Sequence, residues 1–191
     1  MKLNAKELRD VDEKDIVDKL KTIKRRPMYF ILENIYDTYN IGGLFRLADA
    51  LAIEKVYICG ESEIPPNSKI KKASIGTYKV VPWEYKKTAQ EAIACVKTSQ
   101  LLTTNHQPLT TNHQPPTTII AVEQHSTAVP YQKADYSTPV AFVFGNETYG
   151  VLPETLKLTD QIVEIPMFGI NKSLNVIVSA AIVSYWAINQ N

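Results

Sequence analysis

The sequence IPMFGINKSLNV, residues 165–176, joins two segments of opposite character. Residues 162–165, which end where this stretch begins, form a strand-like run, and Pro166 ends that strand because proline has no backbone N–H to donate. The residues after it, 174–188, are almost all apolar and predict a buried helix. Burial does not explain the polar residues at the head of this helix, which are Asn171, Lys172, Ser173 and Asn175. We therefore expect a functional site within residues 165–176.

Strand and helix patterns alternate along the rest of the chain. Short apolar runs predict strands, and apolar residues at helical spacing predict helices. The predicted strands are 28–35, 56–59, 78–81, 118–122, 140–144 and 162–165, and the predicted helices are 6–26, 42–52, 88–99 and 174–188, with a helical turn from Pro153. Because each strand is a nearly continuous apolar run, we predict an α/β fold with a parallel sheet covered by helices on both faces.

Polar residues and glycines follow several of the predicted strands. Ligands of parallel α/β sheets bind beyond the carboxyl ends of the strands, so these residues are candidates for a ligand site. In chain order the strand ends are Tyr39-Asn40, Gly60, Glu123-Gln124, Gly145-Asn146-Glu147 and Pro166-Met167. The sequence therefore predicts a ligand site at the carboxyl edge of the sheet.

The composition is that of a soluble globular protein. The chain has 191 residues, of which 45% are hydrophobic and 21% are charged, and this size suits a single domain. The most apolar stretch, 176–188, is too short to cross a bilayer, and the amino-terminal segment lacks the pattern of a signal peptide. Cys59 and Cys95 are expected to be reduced thiols. We therefore predict a cytoplasmic protein with no membrane contact.

The net charge of +1 does not argue for a polyanionic partner, but the distribution of the charges is informative. Basic residues cluster within 19–26 and again within 69–79, and such clusters can hold phosphates even when the whole protein is neutral. The candidates for contact with phosphates are Arg25, Arg26, Lys71 and Lys72. Solvated surface faces explain the same pattern equally well.

One segment is a tandem duplication. Residues 102–108 read LTTNHQP, and residues 109–115 repeat these letters. A single duplication of this length is too short for a repeat architecture, so we predict a flexible loop over 102–116, away from the ligand edge. Because His106 and His113 have no cysteine or carboxylate neighbours, we predict no metal site there.

The segment NIGGLFR, residues 40–46, lies where a strand gives way to a helix. Gly42 and Gly43 would allow the backbone to approach a ligand, and Arg46 could hold a phosphate with its planar guanidinium. The segment is not the dinucleotide fingerprint, which needs three glycines in the pattern G-x-G-x-x-G. A tight packing turn with a surface arginine explains the segment equally well.

The segment FGNETYG, residues 144–150, follows a buried strand. It sets Asn146 and Glu147 in a turn between glycines, which predicts a loop that binds adenosine or ribose. A purely structural turn would explain the glycines but not the two polar residues together.

Within 165–176, Ser173 and Asn175 lie at the start of the predicted helix, and helix capping explains only one of them. Ser173 is a good helix N-cap, whereas capping does not explain Asn175 at the head of an apolar helix. The backbone of residues 165–167 is expected to lack strand partners and could receive the edge of a purine.

Together these three segments resemble the SPOUT superfamily of knotted RNA methyltransferases, in its SpoU/TrmH-like branch. The matching patterns are N-x-G-x-x-x-R at 40–46, F-G-N-E-x-x-G at 144–150 and I-P-M-x-G-x-x-x-S-L-N-V at 165–176. Gly76 and the sequence PWEY at 82–85 also resemble the linking segment of the family. The resemblance covers roughly residues 28–190, and three patterns in this order are specific where each alone is not.

The resemblance implies an α/β domain over 27–191 with a deep trefoil knot in its carboxyl-terminal third, preceded by a helical extension over 1–26. The knot would hold S-adenosyl-L-methionine. By the match, the cofactor pocket would use Val122, Glu123, Phe144, Gly145, Asn146, Ile165, Met167, Ser173 and Leu174. Ile177 departs from the family, which often has a small polar residue there, and we expect this difference to affect packing.

The resemblance also implies a homodimer whose active sites are built from both subunits, and methyl transfer to a ribose 2′-hydroxyl of RNA. The reaction site would be lined by Asn40, Arg46, Glu147, Ser173 and Asn175, with Asn40 and Arg46 supplied across the dimer. The family proposal makes the arginine the proton acceptor. Because a guanidinium is not expected to lose its proton in a protein, we expect Arg46 to hold the adjacent phosphate, while the phosphate or water accepts the proton.

The expected partner is RNA, with tRNA favoured over rRNA and a guanosine of the D-loop as the expected target. We expect no separate RNA-binding domain, so residues 25–26 and 71–72 would help to hold the RNA. Two alternatives stay open, an rRNA 2′-O-methyltransferase and a non-catalytic knotted dimer that only binds RNA. A nucleotide-binding dehydrogenase is disfavoured because the glycine fingerprint is missing.

Overall fold

The computed structural model describes residues 2–102 and 115–190, so almost all of the duplicated segment, with both of its histidines, lies outside the described residues. The helices are α1 (Ala5–Asp10), α2 (Glu13–Lys21), α3 (Thr38–Ala50), α4 (Ser68–Ser74), α5 (Ala89–Leu102), α6 (Pro153–Leu156) and α7 (Val176–Ile188). The strands are β1 (Arg26–Glu33), β2 (Ile53–Cys59), β3 (Trp83–Lys86), β4 (Thr118–Val122), β5 (Val129–Pro130), β6 (Val140–Phe144) and β7 (Gln161–Glu164). Short 3₁₀ turns lie at Thr77–Lys79 and Tyr131–Lys133.

The strands form one parallel sheet in the order β3-β2-β1-β6-β4-β7-β5. This confirms the predicted parallel α/β fold. The central strand β6 is buried along its whole length. Because β4 lies between β6 and β7, the segments that follow these three strands leave the sheet side by side at its carboxyl edge.

The sheet separates two apolar layers. On one face Phe30 and Phe142 pack with residues of α3 and α7, and the rings of Phe30 and Phe144 meet edge to face with their centroids 5.3 Å apart. On the other face Ile31 and Val143 pack with residues of α5. Since both faces are covered, the strands are apolar at successive positions, which is the pattern that indicated a parallel sheet.

The amino-terminal segment contains two short helices instead of the single helix predicted over 6–26. Asn4 and Glu7 form a capping box that starts α1, and Val11 is extended and ends it. Lys79 Nζ donates to the carbonyl oxygen of Val11 at 2.7 Å, which attaches the extension to the body of the protein. The single-helix prediction was wrong because the apolar spacing continues through the break.

The region between β2 and α5 also differs from the prediction. Residues 60–72, predicted as a polar loop, include the start of α4, which Asn67 caps with its side-chain oxygen. The strand predicted over 78–81 is instead a 3₁₀ turn that follows Gly76, and β3 begins after Pro82. An apolar run is buried in either structure, so the pattern could not distinguish between them.

Helix α3 begins earlier than predicted, at Thr38. Asp37 is its N-cap and accepts a hydrogen bond from the backbone N–H of Tyr39 at 2.8 Å. This earlier start places Asn40 in the first turn of the helix, where it is buried.

The paired glycines of α3 serve helix packing. A Cβ atom at Gly42 would lie 2.4 Å from the Cβ atom of Ala73 in α4, and one at Gly43 would lie 2.3 Å from Cδ1 of Ile177 in α7. Helix packing therefore explains both glycines, and Ile177 is the residue of α7 that lies against Gly43.

Helix α7 buries only part of its surface. Ala180, Val183 and Ala187 are buried, whereas Val178 and Tyr185 are exposed. Neither α7 nor any other helix in residues 2–102 and 115–190 has both the length and the apolar character needed to cross a membrane.

Candidate active site

A cavity of about 700 Å³ opens at the carboxyl edge of the sheet. Its walls are the segments that follow β4, β6 and β7, together with the start of α7. The predicted residues that line it are Val122, Glu123, Phe144, Gly145, Asn146, Glu147, Ile165, Met167, Ser173, Leu174 and Asn175. The structure thus brings together every residue predicted for the cofactor, whereas Asn40 and Arg46 do not line this cavity.

The turn after β6 is built by Asn146. Its backbone pairs with Gly150 in both directions, at 3.1 and 2.9 Å. Its side-chain oxygen accepts from the N–H of Thr148 at 2.8 Å, and its side-chain nitrogen donates to the carbonyl of Asn34 at 2.7 Å. A Cβ atom at Gly145 would lie 2.2 Å from the carbonyl carbon of Gly150. Asn146 and Gly145 therefore shape the wall of the cavity.

Glu123 ties the end of β4 to the same turn. One carboxylate oxygen accepts from the N–H of Val151 and the other from the N–H of Gln124, each at 2.9 Å. Gly150 has φ +71°, and a Cβ atom there would lie 2.1 Å from Glu123 Oε2, so both the backbone and the carboxylate require glycine. Each carboxylate oxygen has a second acceptor position, which leaves Glu123 able to bind hydroxyl groups of a ligand.

A series of hydrogen bonds joins three of the predicted catalytic residues. Asn175 Nδ2 donates to Asn40 Oδ1 at 3.0 Å, and Asn40 Nδ2 donates to Glu147 Oε1 at 2.9 Å. The Glu147 carboxylate also accepts from the backbone N–H groups of Tyr36 and Asp37 at 3.2 and 3.3 Å. We call Asn40, Glu147 and Asn175 the amide–carboxylate chain. It links three segments that are far apart in the sequence.

The Glu147 carboxyl is held in its ionised form. Partial burial opposes ionisation, but the hydrogen bonds from Asn40 and from backbone N–H groups outweigh it and lower the pKa of Glu147 below its usual value. A carboxylate with a lowered pKa is a weak base. Glu147 is therefore suited to orienting Asn40 and unsuited to accepting a proton.

The start of α7 corrects one prediction. The N-cap is Asn175, whose Oδ1 accepts from the N–H of Ile177 at 2.9 Å, and not Ser173. Ser173 is exposed, and its N–H donates to Asn171 Oδ1 at 3.3 Å. These two contacts explain why position 175 is an asparagine, because its side chain has both an oxygen that caps α7 and a nitrogen that donates to Asn40.

Arg46 is separate from this arrangement. It is exposed on α3, and its guanidinium makes no hydrogen bond or ion pair within the described chain. We expected both Asn40 and Arg46 to act across a dimer. Within one chain Asn40 bonds Glu147 and Asn175, which favours a role for Asn40 in the site of its own chain, and the expectation of sites shared across a dimer stays a prediction.

The three segments that meet at this edge are also those that identify the family. Residues 27–185 match the model of the SpoU rRNA Methylase family. The chain belongs to this family. The suspected resemblance is thereby confirmed, and the match begins at the proposed boundary between the extension and the main domain. The division into 1–26 and 27–191 itself stays a prediction.

Three relatives indicate how far the similarity of this SpoU-family chain extends. The tRNA (guanosine(18)-2′-O)-methyltransferase of Thermus thermophilus is 27% identical over 168 residues, which cover 87% of this chain and 77% of the relative. The enzyme of the same name from Escherichia coli is 27% identical over 171 residues, with 87% and 66% covered. The 23S rRNA (guanosine-2′-O-)-methyltransferase RlmB of Vibrio parahaemolyticus is 27% identical over 186 residues, with 97% and 67% covered.

Solved structures of SpoU-family proteins share the fold. The SpoU methyltransferase AviRb from Streptomyces viridochromogenes has a TM-score of 0.74 at 24% identity, and the chain covers only 63% of AviRb while 90% of the chain is matched. The A. aeolicus TrmH/SpoU tRNA modifying enzyme has a TM-score of 0.65 at 24% identity, with 97% of this chain and 81% of that enzyme covered. These likenesses support the same α/β architecture.

Arg25 and Arg26 lie at the opposite edge of the sheet from the SpoU-family site. They sit at the amino end of β1, which runs for eight residues, or about 25 Å, towards the site. The Arg25 guanidinium donates to the carbonyl oxygens of Ile53 and Val80 at 3.1 and 2.7 Å. Its contacts give Arg25 a structural role in place of the phosphate contact that we predicted.

Lys71 and Lys72 remain candidates for contact with RNA in this SpoU-family chain. Both are exposed on α4, which packs against α3 at Gly42. Their distance from the amide–carboxylate chain is therefore set by the two packed helices, and they lie on the side of the protein that carries Asn40.

Some residues of the site were missed in the sequence. The backbone N–H groups of Tyr36 and Asp37 hold Glu147, and no side-chain motif can indicate a backbone donor. Glu164 and Ser179 also line the cavity, although both lie outside the segments predicted to carry the site. Glu164 could be recognised only by its position at the end of β7, and Ser179 only by its position in the second turn of α7. The other lining residues lie inside those segments but were given no individual role, and they are Gln124, Thr148, Tyr149, Gly150, Asn171, Lys172 and Val176.

Proposed function

We propose that this protein is an RNA methyltransferase that transfers a methyl group from S-adenosyl-L-methionine to a ribose 2′-hydroxyl. The observation that carries the proposal is the amide–carboxylate chain at the rim of the cavity, since its three polar residues come from three separate segments. The names of the relatives, which are ribose 2′-O-methyltransferases of tRNA and rRNA, support the same activity.

The cavity suits this cofactor in size and in chemistry. Its volume of about 700 Å³ is in the range of roughly 300–1,000 Å³ in which proteins bind small ligands. The carboxylate of Glu123 can accept hydrogen bonds from ribose hydroxyls, and Val122, Ile165 and Leu174 offer apolar surface to an adenine ring. AviRb, which shares the fold, has been solved in complex with AdoMet. When bound, the cofactor supplies the methyl group.

The residues of the amide–carboxylate chain orient the hydroxyl that is methylated. An ionised Glu147 can only accept hydrogen bonds, so it fixes which end of the Asn40 amide points towards it. Asn40 then fixes the nitrogen of Asn175 in the same way. The amide oxygens keep a second acceptor position to which a ribose hydroxyl can donate. Holding the reacting groups in one orientation supplies much of the acceleration of such a reaction.

Arg46 binds the phosphate next to the target ribose. Its planar fork can pair with two phosphate oxygens, and its pKa is too high for it to accept the hydroxyl proton. The proton passes to that phosphate or to water. Because Arg46 does not line the cavity of its own chain, it serves the site of a partner in a homodimer.

The homodimer forms through the exposed face of α7. Val178 and Tyr185 lie on one side of this helix, seven residues apart, and both are exposed. An apolar stripe of this kind marks an interaction surface. It lies next to Asn175, so a partner docked there would approach the cavity.

The same proposal includes the deep trefoil knot in the carboxyl-terminal third and a cytoplasmic location. The target is tRNA, with a D-loop guanosine favoured, because the relatives of Thermus thermophilus and Escherichia coli are named for guanosine 18 of tRNA. The alternative target is rRNA, because the relative from Vibrio parahaemolyticus is named as a methyltransferase of 23S rRNA.

The test combines cofactor binding with methyl transfer. We expect calorimetry to detect binding of S-adenosyl-L-methionine, and mapping of 2′-O-methyl groups to show a tRNA site that is lost in cells without the protein. A site lost from rRNA instead would support the alternative target. Cofactor binding without any transfer to total RNA would support the non-catalytic RNA-binding dimer. Absence of cofactor binding by the folded protein would contradict the proposal.

A further inference from the structure

A second cleft, of about 460 Å³, opens beside the amide–carboxylate chain. It lies between the turn that precedes α3 and the start of α4, and we call it the tyrosine cleft. The tyrosine cleft shares a wall with the cavity at the carboxyl edge of the sheet. Glu147 lines that cavity and accepts hydrogen bonds from the backbone N–H groups of Tyr36 and Asp37, which line the tyrosine cleft. A ligand in the tyrosine cleft would therefore lie next to the reaction site.

Two aromatic rings are presented to this cleft. Tyr36 and Tyr39 each expose 51% of their surface. The hydroxyl of Tyr36 donates to Glu61 at 2.9 Å, which restrains its ring, and the hydroxyl of Tyr39 makes no hydrogen bond within the described residues. Exposed aromatic faces are the surfaces on which unstacked nucleic-acid bases bind, because every base can stack on them.

The charges of the cleft favour a whole nucleotide over a bare phosphate. Lys69 is the one cation among its lining residues, and it shares the cleft with the carboxylates of Asp37 and Glu63. Asp37 caps α3, whereas Glu63 accepts only a long hydrogen bond of 3.4 Å from Asn67. A phosphate pairs with the ammonium group, and a base with an amino group can donate to the carboxylates.

We propose that the tyrosine cleft binds an unpaired nucleotide of the RNA substrate, adjacent to the nucleotide that is methylated. Its base stacks on Tyr39 and donates an amino group to Glu63, while Lys69 pairs with its phosphate. The inference rests on the proposed function, because it takes RNA as the substrate, and it adds a requirement. The target must lie in a loop or a bulge, since a base-paired neighbour cannot leave its stack to enter the cleft.

The test measures binding of labelled RNA heptamers, heptaadenylate and heptauridylate, to the full chain without cofactor. We expect Tyr39→Ala to weaken heptaadenylate binding about 5- to 100-fold, as loss of one stacked base does. Tyr39→Phe keeps the ring and should bind like the wild type. Heptauridylate should bind less tightly than heptaadenylate, because uracil has no amino group.

Two further variants test the polar contacts. Lys69→Ala should reduce the dependence of log K on log salt by about 0.7, the value for one phosphate contact with a single strand, whereas the exposed control Lys157→Ala should leave it unchanged. Glu63→Gln should reduce the preference for heptaadenylate over heptauridylate. These two variants also decide the matter if Tyr39→Ala does not fold.

The outcomes separate this proposal from the proposed function. Wild-type heptamer binding by Tyr39→Ala, or by both Lys69→Ala and Glu63→Gln, would overturn the tyrosine cleft even if methyl transfer is intact. Specific loss of heptamer binding in these variants would support the cleft even if no methyl transfer to any RNA were found, which would reject the methyltransferase instead.

Discussion

Asn40, the central residue of the amide–carboxylate chain, and Arg46 lie on the same helix, α3, yet their side chains differ in how many hydrogen bonds they make within the protomer. Asn40 is buried and bonded at both ends of its amide. Arg46 is exposed, with no hydrogen bond or ion pair in the described chain. The difference teaches that one protomer preassembles the hydrogen bonds around Asn40 and leaves Arg46 without a polar partner in the described residues, which is the arrangement that the proposed function requires.

The same contrast appears on α7. Its first residues, at Asn175, are held by hydrogen bonds to α3 and to its own first turn. Further along, Val178 and Tyr185 are exposed and have no apolar cover. Packing within the protomer leaves these two apolar side chains exposed, and the proposed homodimer would cover them.

The largest effect is expected at Arg46. Arg46→Lys keeps the charge but loses the planar fork, so kcat/KM for methyl transfer should fall about 100-fold or more. The melting temperature should not change, because Arg46 is exposed and makes no hydrogen bond or ion pair within the described residues. Near-normal turnover of this variant would contradict a role for Arg46 in the reaction, because Arg46 would then be only a surface residue.

Removal of the Asn40 side chain should have the next largest effect. Asn40→Ala leaves Glu147 and Asn175 without their shared partner, so kcat should fall roughly 10- to 100-fold as the orientation of the site loosens. Stability should also fall, by about 1–3 kcal/mol, because buried polar groups lose a hydrogen bond. Steady-state kinetics and urea unfolding measure the two effects.

The control for this variant is Gln132→Ala, which removes an exposed amide that does not line the cavity. It should alter neither quantity. Full activity of Asn40→Ala would contradict the role of the amide–carboxylate chain.

Substitutions at Gly42 and Gly43 test how α3 packs against its neighbours, separately from the hydrogen bonds of Asn40 and the exposure of Arg46. In Gly42→Ala the new methyl group would meet the backbone of Ser74 at 2.8 Å as well as Ala73, so the helices must move apart and stability should fall by about 1–3 kcal/mol. In Gly43→Ala it meets the flexible end of Ile177, which can rotate away, so the loss should be smaller. Thermal unfolding of the two variants gives the order, and a larger loss at Gly43 would contradict this account of the packing.

The smallest expected effect is on the pH dependence of stability. It comes from Glu33, a second carboxylate, which binds the segment that follows the turn after β6. Glu33 is buried and accepts hydrogen bonds from the N–H of Leu152 and the hydroxyl of Thr155. Burial raises the pKa of Glu33, whereas hydrogen bonds lower the pKa of Glu147. Since the folded protein holds the Glu33 proton more tightly than the unfolded chain, this group should make stability fall as pH rises from the ordinary carboxyl pKa through the raised one.

The slope from one such proton is at most about 1.4 kcal/mol per pH unit. Urea unfolding across this pH range should show a contribution of that sign in the wild type, and Glu33→Gln should remove it. An unchanged pH profile in the variant would mean that Glu33 ionises normally in the folded state.

The parallel sheet and the residues around the cavity could be predicted because they depend on local patterns. Short apolar runs such as 140–144 alternate with helical patterns, which indicates a parallel sheet, and residues after the ends of parallel strands meet at one edge. The predicted cofactor residues line one cavity for this reason.

Other features depend on contacts between distant segments, which a local pattern does not contain. The break at Val11 depends on Lys79, and the cap of α7 at Asn175 depends on Asn40 as its second partner. The role of Arg25 was assigned wrongly because a guanidinium that binds carbonyl oxygens looks the same in sequence as one that binds phosphate.

The central claim is that Arg46 acts in the site of the partner, whereas Asn40 and Asn175 act in their own. The most direct measurement mixes two inactive variants, Arg46→Ala and Asn175→Ala, under conditions that allow subunits to exchange. A mixed dimer then has one site with both changes and one with neither, so activity should return to about a quarter of the wild-type value at full exchange. If subunits are shown to exchange and no activity returns, both residues serve the same protomer and the account is wrong.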